Sequence, residues 1–472
     1  VSALGALELT SKTHRYLYAS GYGFINDFIK ELAYATSGSI SGSSNTTYSK
    51  SLSYLAQLTY SFDKRYYLTT SWRRQGNSSF STYARWGNFA SVGLSYNMHN
   101  EKWFSIPWIS TLKLKASYGN NGNSRLDTSS AYGTYTYSDG SYYGGVMGAH
   151  QSTPPNPGLS WETTYIQNYG VSLGIKKRVE IDVEYYDKLT DNLLYNGRVS
   201  NVISSGTVTR NVGQIDNKGI EVSVNARLLH NRDWDWDMAV HGSRNRNIIK
   251  KLYKGMHTGF FDYVWMEGAS KNAWWLVRWA GVDPVDGSPM WYDKDGNLTH
   301  VFSYDNRVLL PEYDKQPALE GGMSQNLKWK NFTLNLLFNY TIGGWTRSGI
   351  YTDGHDIIWF NVVVEEMDHW RKPGDLSVNP RFVYQEQNYS ASYSTRDLIN
   401  KTNVLLRNVS LNYALPDNFV KKLKVSSASV HLIVDNAYLW TPGQNRSRNS
   451  YKTVMYSSGM TRTYSAELTV SF

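Results

Sequence analysis

Hydrophobic and polar residues alternate along many short segments of this chain. In residues 220–228 every even-numbered residue is apolar and every odd-numbered residue is polar. The same pattern, with few exceptions, recurs in residues 54–62, 112–118, 181–185 and 332–338. Successive side chains of a β-strand point to opposite faces, so the pattern predicts strands with one apolar and one polar face. The sequence is therefore predicted to be all-β.

The final segment, TYSAELTVSF, keeps this alternation up to the last residue. Tyr464, Leu468 and Phe472 fall on its apolar face, whereas Glu467 falls on the polar face. Such a strand suits either a sandwich with a buried core or a membrane barrel with lipid outside and water inside. We expect Phe472 to end a barrel's last strand at the membrane rim.

The connections between the alternating segments differ in length in a regular way. Short polar turns occur at 63–65, 176–178, 230–233 and 328–331. Long polar stretches separate the resulting strand pairs, at 122–160, 189–215, 282–315, 344–402 and 437–462. Outer-membrane barrels have short periplasmic turns and long extracellular loops. The sorting of the loops favours a transmembrane antiparallel β-barrel over a soluble sandwich.

Counting back from Phe472 gives about sixteen strands, an even number that suits a barrel of this kind. The predicted strands are 4–18, 52–62, 66–75, 88–98, 110–121, 162–175, 178–188, 216–229, 234–249, 259–267, 271–281, 316–328, 332–343, 403–415, 425–436 and 463–472. With the last strand running toward the periplasm, every short turn lies in the periplasm. The even count requires 259–267 to be a strand.

The composition agrees with a barrel. Aromatic residues make up 15% of the chain, with 37 Tyr and 17 Trp, yet the mean hydropathy is −0.48. A barrel needs apolar residues on only one face of each strand, together with aromatic girdles that contact outer-membrane lipid. No apolar run reaches the roughly 18 residues of a membrane helix. If the chain crosses a membrane, it does so with strands.

The formal net charge of +9 comes from Lys and Arg residues spread along the whole chain. Without a dense basic run, the charge does not indicate nucleic-acid binding. It indicates a mildly basic lumen and loop surface, attracted to anionic lipid headgroups. The chain has no cysteine, which excludes disulfides and thiolate chemistry within it.

No enzyme motif is present: there is no P-loop, HExxH or GxSxG sequence. The ten His are scattered, and we expect no catalytic residue, cofactor or metal site. The segment DKDGNLT at 293–299 resembles a calcium loop but lacks its closing Glu. We interpret it as an Asp-Gly turn.

Aromatic residues in the outer loops are the candidates for ligand contact, because their faces stack on sugars or peptide side chains. The aromatic candidates are Tyr135, Tyr137, Tyr142, Tyr143, Trp345, Tyr351, Trp359 and Trp440, and Asp356 is a candidate hydrogen-bond partner beside them. Packing between loops is the alternative for each of them. Trp274, Trp275 and Trp279 are interpreted instead as part of an interface girdle near a periplasmic turn.

Several segments resemble the SusC/RagA family of TonB-dependent outer-membrane receptors. RNVGQIDNKGIEVSVNARLL at 210–229 is similar to that family's G-x-I-x-N-K-G-x-E strand entry, and LKLKASYGNNGN at 112–123 is similar to LKLRASYGxTGN. Further similar segments follow the family's order. They are YYLTTSWRRQGNSSF at 66–80, WAGVDPVDGSPMWYDKDGNLT at 279–299, HWRKPGDLSVNPR at 369–381 and VLLRNVSLNYALP at 404–416.

The chain departs from the family pattern in three places. Gln75 stands where the family usually has Asp, and Leu405 where it usually has Arg. After Asn436 the usual family sequence is replaced by NAYLWTPGQNRSRNS. The P-x-P-R sequence that usually precedes the family's last strand is also lost from this region, so we expect loop 437–462 to differ in shape from that of the family while the fold is kept.

The resemblance implies that the chain is the C-terminal portion of a 22-stranded TonB-dependent barrel, with the plug domain and TonB box outside this chain. It further implies import of a large nutrient, an oligosaccharide or a peptide, together with a SusD-like surface lipoprotein and TonB. The alternative is a stand-alone, passive, porin-like channel of about sixteen strands.

Overall fold

A computed structural model describes residues 1–28, 31–124, 131–198, 207–252, 258–259, 263–347, 369–383, 393–422, 424–442 and 460–472. Fourteen antiparallel strands form one large sheet in this part of the chain. They are β1 Ser2–Ser20, β2 Ser41–Phe62, β3 Tyr66–Asn77, β4 Trp86–Asn97, β5 Ile109–Asn123, β6 Glu162–Ile175, β7 Val179–Asp191, β8 Gln214–His230, β9 Trp234–Lys251, β10 Leu319–Trp329, β11 Phe332–Ile342, β12 Asn403–Ala414, β13 Ser427–Trp440 and β14 Thr463–Ser471. The predicted all-β antiparallel class is confirmed.

The order of the strands in the sheet follows their order in the chain. The tight turns 63–65, 176–178, 231–233 and 330–331 therefore all lie at one end of the strands, called here the short-turn end. The connections 124–161, 192–213, 252–318, 343–402 and 441–462 all lie at the opposite end, called the long-connection end. The predicted sorting of short and long connections is confirmed.

The predicted count of sixteen strands is wrong by two, because 259–267 and 271–281 are not part of the large sheet. Ala273–Leu276 pairs with Val308–Asp314, and Arg278–Val282 pairs with Pro289–Tyr292. Both faces of this segment are covered, since Ala273, Leu276 and Val277 are fully buried. A strand packed on both faces belongs to a folded layer and not to a wall between lipid and water.

Further short elements occupy the long connections. Thr134–Tyr143 pairs with Val146–Thr153, Leu194–Arg198 with Thr207–Asn211, Thr258–Gly259 with Val264–Trp265, Pro289–Tyr292 with Leu298–Thr299, and Trp345–Arg347 with Leu398–Asn400. Elsewhere and in these connections, the described residues also form short 3-10 turns at Leu32–Tyr34, Met98–Asn100, Tyr304–Asn306 and Thr395–Asp397, and an α-helix at Asp417–Lys422. No helix among the described residues is long and apolar enough to cross a membrane.

The chain divides into two compact units. One contains Val1–Ser95, Ser117–Gln167 and Leu189–Gln214, and the other contains Tyr96–Ala116, Asn168–Lys188 and Ile215–Phe472. In the first unit, Phe80, Phe89 and Trp161 form a buried aromatic cluster. The second unit contains the folded parts of the connections 252–318 and 343–402.

Candidate functional site

The polar face of the sheet carries a network of charged side chains within the second unit. Lys115 donates to Asp182 at 3.1 Å, and Ser172 also donates to Asp182. Arg227 donates to Asp237 at 3.2 Å. A cavity of about 540 Å³ lies near Arg227, and one of about 320 Å³ lies near Lys115. This face presents cavities lined by charged and polar side chains, of the kind that suit a polar solute.

The opposite face is apolar and exposed, and it carries a row of rings at the short-turn end. The ring centroids are 5.7 Å apart for Trp234 and Trp329, 5.9 Å for Trp329 and Phe332, and 4.5 Å for Phe332 and Tyr413. Nearer the long-connection end of the same face, the Tyr340 hydroxyl donates to the His241 carbonyl at 2.8 Å. The Tyr340 side chain lies over Gly242 and Gly321. An aromatic row below an exposed apolar band is typical of a surface that faces lipid.

The hairpin 134–153 holds the first group of predicted ligand-contact residues. Tyr135 and Tyr137 are two residues apart, so they share a face, and both side chains are exposed. The backbones of Tyr142 and Tyr143 pair with Met147 and Val146; their side chains lie outside the described part of the structure. The hairpin therefore presents two tyrosine rings at the long-connection end.

The folded parts of the two longest connections form what we call the loop layer, residues 263–318, 343–347, 369–383 and 393–402. Trp274, Leu276, Leu310 and Leu398 are its first buried cluster. Trp345 packs against this cluster, with its ring 4.8 Å edge-on from Tyr313 and its carbonyl accepting from Trp274 Nε1 at 3.3 Å. Much of the ring area of Trp345 is thus engaged within the protein.

Trp345 nevertheless lines a cavity of about 740 Å³ at the ends of β9 and β11. The rim residues Arg244 and Arg246 and the loop-layer residues Glu312 and Asp314 also line this cavity. The predicted ligand-contact residue Trp345 is thus placed at a cavity lined by charged and amide side chains. The structure shows where Trp345 lies, and its contact with a ligand stays a prediction.

Among the other candidates with described side chains, none is among the residues that line this cavity. Trp440 is half-exposed at the end of β13, which continues past Asn436 instead of ending there. A register shift between Leu406 and Asn408 accompanies this extension. Tyr351, Asp356 and Trp359 lie outside the described residues.

A second cluster in the loop layer brings together two sequence segments that are far apart in the chain. Val277 and Trp291 are its buried members, and Trp279 and Phe302 pack against them. Segment 369–381 is fixed to segment 279–299 by three bonds. Trp370 Nε1 donates to the Pro284 carbonyl at 3.1 Å, Gly374 N to the same carbonyl at 2.7 Å, and Arg381 N to the Gly287 carbonyl at 2.9 Å.

Cations cover several rings of this layer. Arg307 lies 3.9 Å from the Trp275 ring centroid, and Lys315 lies 3.9 Å from that of Trp274. Arg396 lies 5.0 Å from Trp279. The interpretation of these three tryptophans as a girdle near a periplasmic turn is therefore wrong. They belong to the folded connection at the long-connection end, where packing on both faces replaces contact with lipid.

One carboxylate is enclosed in this layer. Asp397 is 1% exposed, and its Oδ2 lies 3.7 Å from an Arg347 guanidinium nitrogen. Burial raises the pKa of Asp397 to about 7, although Arg347 and Arg396 favour the charged form. Sequence reasoning missed this residue, because Arg347 and Asp397 are distant in the chain and no local motif joins them.

A Ser–His–Asp arrangement in the layer has the outline of a catalytic triad but not its hydrogen-bond direction. Ser288 Oγ lies 3.0 Å from His300 Nδ1, and His300 Nε2 lies 3.6 Å from Asp283. Ser288, however, donates its single proton to Asp286 at 2.5 Å. His300 therefore donates to Ser288 and does not activate it as a nucleophile.

The DKDGNLT segment is a turn, as predicted. Asp293 Oδ1 accepts from Asp295 N at 2.9 Å and from Asn297 N at 2.8 Å, and these bonds lower the pKa of Asp293. The carboxylate thus closes its own backbone turn. Among the described residues, no group of three or more His, Cys, Asp or Glu side chains is arranged to hold a metal ion.

Comparison with known proteins places these features in a family. The family model described as TonB dependent receptor-like, beta-barrel matches residues 3–354. TonB-dependent receptor P39 of Formosa agariphila is 26% identical over 93% of this chain and 47% of its own length. TonB-dependent receptor SusC of Bacteroides thetaiotaomicron is 27% identical over 64% of this chain and 32% of its own length.

A solved structure of the RagAB peptide transporter shares the fold. It superposes with a TM-score of 0.85 and 26% identity, covering 100% of this chain and 53% of that chain. The chain spans about half the length of the curated relatives first matched. On these grounds the chain belongs to the TonB-dependent receptor-like β-barrel family, is of the SusC/RagA type, and is an outer-membrane protein.

Proposed function

We propose that this chain forms the C-terminal wall of a TonB-dependent importer that takes up a large nutrient, an oligosaccharide or a peptide. The observation that carries the proposal is the superposition of the whole chain on the RagAB peptide transporter. The charged polar face and its cavities support it, because a nutrient of this kind crosses a hydrated, polar lumen.

In this proposal the plug and TonB box are carried by the part of the receptor outside this chain. A SusD-like surface lipoprotein delivers ligand at the long-connection end, and TonB uses the proton gradient of the inner membrane to displace the plug. The wall itself performs no chemistry. The exposed rings of Tyr135, Tyr137 and Trp440 contact the ligand before it enters.

Uptake by whole cells tests the proposal. Cells carrying the complete receptor, cells lacking its gene and cells lacking TonB are supplied with mixed oligopeptides or mixed oligosaccharides, and depletion of each compound is followed by mass spectrometry. We expect one class to be depleted only when both the receptor and TonB are present. A passive channel, the alternative, would continue uptake without TonB, and that result would overturn the proposal.

The ligand-contact role is tested separately. Replacing Tyr135 and Tyr137 together by Ala should raise the half-saturating ligand concentration roughly tenfold, as expected for the loss of two ring contacts. Tyr83→Ala is the matched control, because Tyr83 is an exposed tyrosine outside the hairpin. Equal effects of the double variant and the control would remove the hairpin from the ligand path.

A further inference from the structure

The apolar face of β9 becomes basic at the long-connection end. Trp234, Trp236 and Val240 lie on this face, and strand alternation places Arg244 and Arg246 on it too. The neighbouring Asn245 and Asn247 confirm the phase, because they point to the polar face. Asn245 Oδ1 accepts from the Tyr186 hydroxyl at 3.0 Å, and Asn247 Nδ2 donates to Asn217 Oδ1 at 2.7 Å.

The height of the two arginines matches the edge of a membrane. About ten residues separate Trp234, in the aromatic row, from Arg244, or ~33 Å along a strand at ~3.3 Å per residue. A strand tilted by roughly 40° covers about 25 Å of membrane normal over that length, which is the height of the apolar band of such barrels. Arg244 therefore lies where the hydrocarbon ends, and Arg246 lies one step further out, at the level of the lipid headgroups.

The surface around the two arginines also carries lysines that are paired with carboxylates. The Asn217–Asn247 bond aligns β8 with β9, so Lys218 lies beside Arg246 on the same face. Lys218 pairs with Asp187 at 2.7 Å, and Lys250 lies 3.6 Å from Asp216. These lysines neutralise the two nearby carboxylates. Arg244 and Arg246 are exposed, and neither forms an ion pair with any described residue.

The adjoining cavity of about 740 Å³ has the arginines on one side and acidic residues of the loop layer on the other. Two of the three acidic side chains already accept backbone protons: Glu267 from Leu252 N and Asp314 from Gln316 N, both at 2.7 Å. Glu312 is exposed. Among the residues that line the cavity, Arg244 and Arg246 are the cationic hydrogen-bond donors, beside amide side chains such as Gln316.

We propose that Arg244 and Arg246 form a binding site for the phosphate groups of an outer-leaflet glycolipid. A guanidinium forms paired hydrogen bonds to phosphate. Arg244 and Arg246 are two residues apart on one strand face, about 7 Å along the strand, so both side chains can reach one diphosphorylated headgroup. Amide groups in the adjoining cavity suit the sugar part of such a headgroup. The site would fix the receptor wall in its lipid surroundings, and it does not depend on the proposed import function.

Native mass spectrometry of the complete receptor in nanodiscs tests this site. The probes are diphosphorylated lipid A, the same lipid after removal of its phosphates, and inorganic phosphate. Replacing Arg244 and Arg246 together by Gln should weaken retention of the diphosphorylated lipid roughly 30-fold, the expected effect of two cations at an anionic surface. Inorganic phosphate at millimolar concentration should not displace the lipid.

The matched control is the double variant K421Q/K422Q, which removes two exposed lysines at the short-turn end. It should retain the lipid as the unmodified receptor does, and heat-modifiable gel migration should show that both double variants fold. Equal retention of both forms of the lipid, or an unchanged affinity of the arginine variant, would overturn the proposal. Displacement by inorganic phosphate would show a site for free anions and would also overturn it.

Discussion

At the scale of the residue, the most informative side chains are those that the alternating pattern does not explain. Trp345 is predicted from sequence as a ligand contact because it is an aromatic residue in an outer loop, and this role stays a prediction. Its contacts with Tyr313 and Trp274 are not predictable from sequence, because those two residues come from another connection. No local sequence pattern marks Asp397, because its environment depends on burial and on Arg347, which is distant in the chain.

The stability of the loop layer should depend on pH through Asp397. Its pKa is raised from 3.8 to about 7, so the folded layer favours the protonated acid. The stabilisation is complete below about pH 4, declines as pH rises, and is lost above about pH 7. The full change is roughly 4 kcal/mol. Hydrogen exchange at residues 393–400, corrected for intrinsic rates, should therefore show less protection at pH 8 than at pH 5.

Asp397→Asn should abolish this difference, because the amide does not titrate. Asp295→Asn is the control, since Asp295 lies in the exposed turn of the same layer, and it should leave the difference intact. Protection that is equal at pH 5 and pH 8 in the unmodified receptor would contradict the assignment.

Gly287 should be essential for the joining of segments 279–299 and 369–381. Its φ is +75°, and an added Cβ would lie 2.4 Å from the Trp370 ring. Gly287→Ala should weaken the layer by about 3 kcal/mol, from backbone strain and the displaced ring. Limited proteolysis should then cleave segment 369–381 much faster.

Gly296→Ala is the matched control for Gly287→Ala. Gly296 has a φ of +89°, but open space surrounds the position of its Cβ. This variant should lose only about 1 kcal/mol from the backbone conformation. If the two variants are cleaved at the same rate, Trp370 does not hold the segments together.

At the scale of the element, the alternating pattern predicted the strands of the large sheet well. It failed in the segments where the alternation is weakest. All fourteen strands of the large sheet overlap predicted strands. The two failures, 259–267 and 271–281, lie in a region where Trp274, Leu276 and Val277 make the pattern nearly continuous instead of alternating. Local propensity favoured extended backbone there, but it could not show that the partner strand is Val308–Asp314.

The tight turn at 176–178 can be stabilised by substitution. Lys176 and Lys177 both have positive φ, of 49° and 55°, and the Arg178 N–H bonds to the Ile175 carbonyl at 2.9 Å. This is a type I′ turn, which prefers Asn-Gly. The double variant K176N/K177G should stabilise the hairpin by about 1 kcal/mol, measured as a shift in the urea midpoint of unfolding.

Lys328→Gly provides the contrast to the turn variant. Lys328 lies within β10, where the backbone is extended and glycine adds only flexibility. This change should destabilise the protein by a similar amount. A turn variant that unfolds at lower urea than the unmodified protein would contradict the turn assignment.

At the scale of the whole molecule, the two ends of the strands should face different sides of the outer membrane. The long connections, including 252–318 with its two misassigned segments, should face the cell exterior. The short turns should face the periplasm. This topology follows from the strand order together with the family to which the chain belongs.

Labelling of single-cysteine variants in intact cells tests this claim most directly, because the chain contributes no cysteine of its own. Val285 and Tyr135 are exposed in long connections, and Lys64 and Lys177 lie in tight turns. With a membrane-impermeant maleimide, V285C and Y135C should label in intact cells. K64C and K177C should label only after the outer membrane is permeabilised. Labelling of K64C and K177C in intact cells, with V285C protected, would contradict the account.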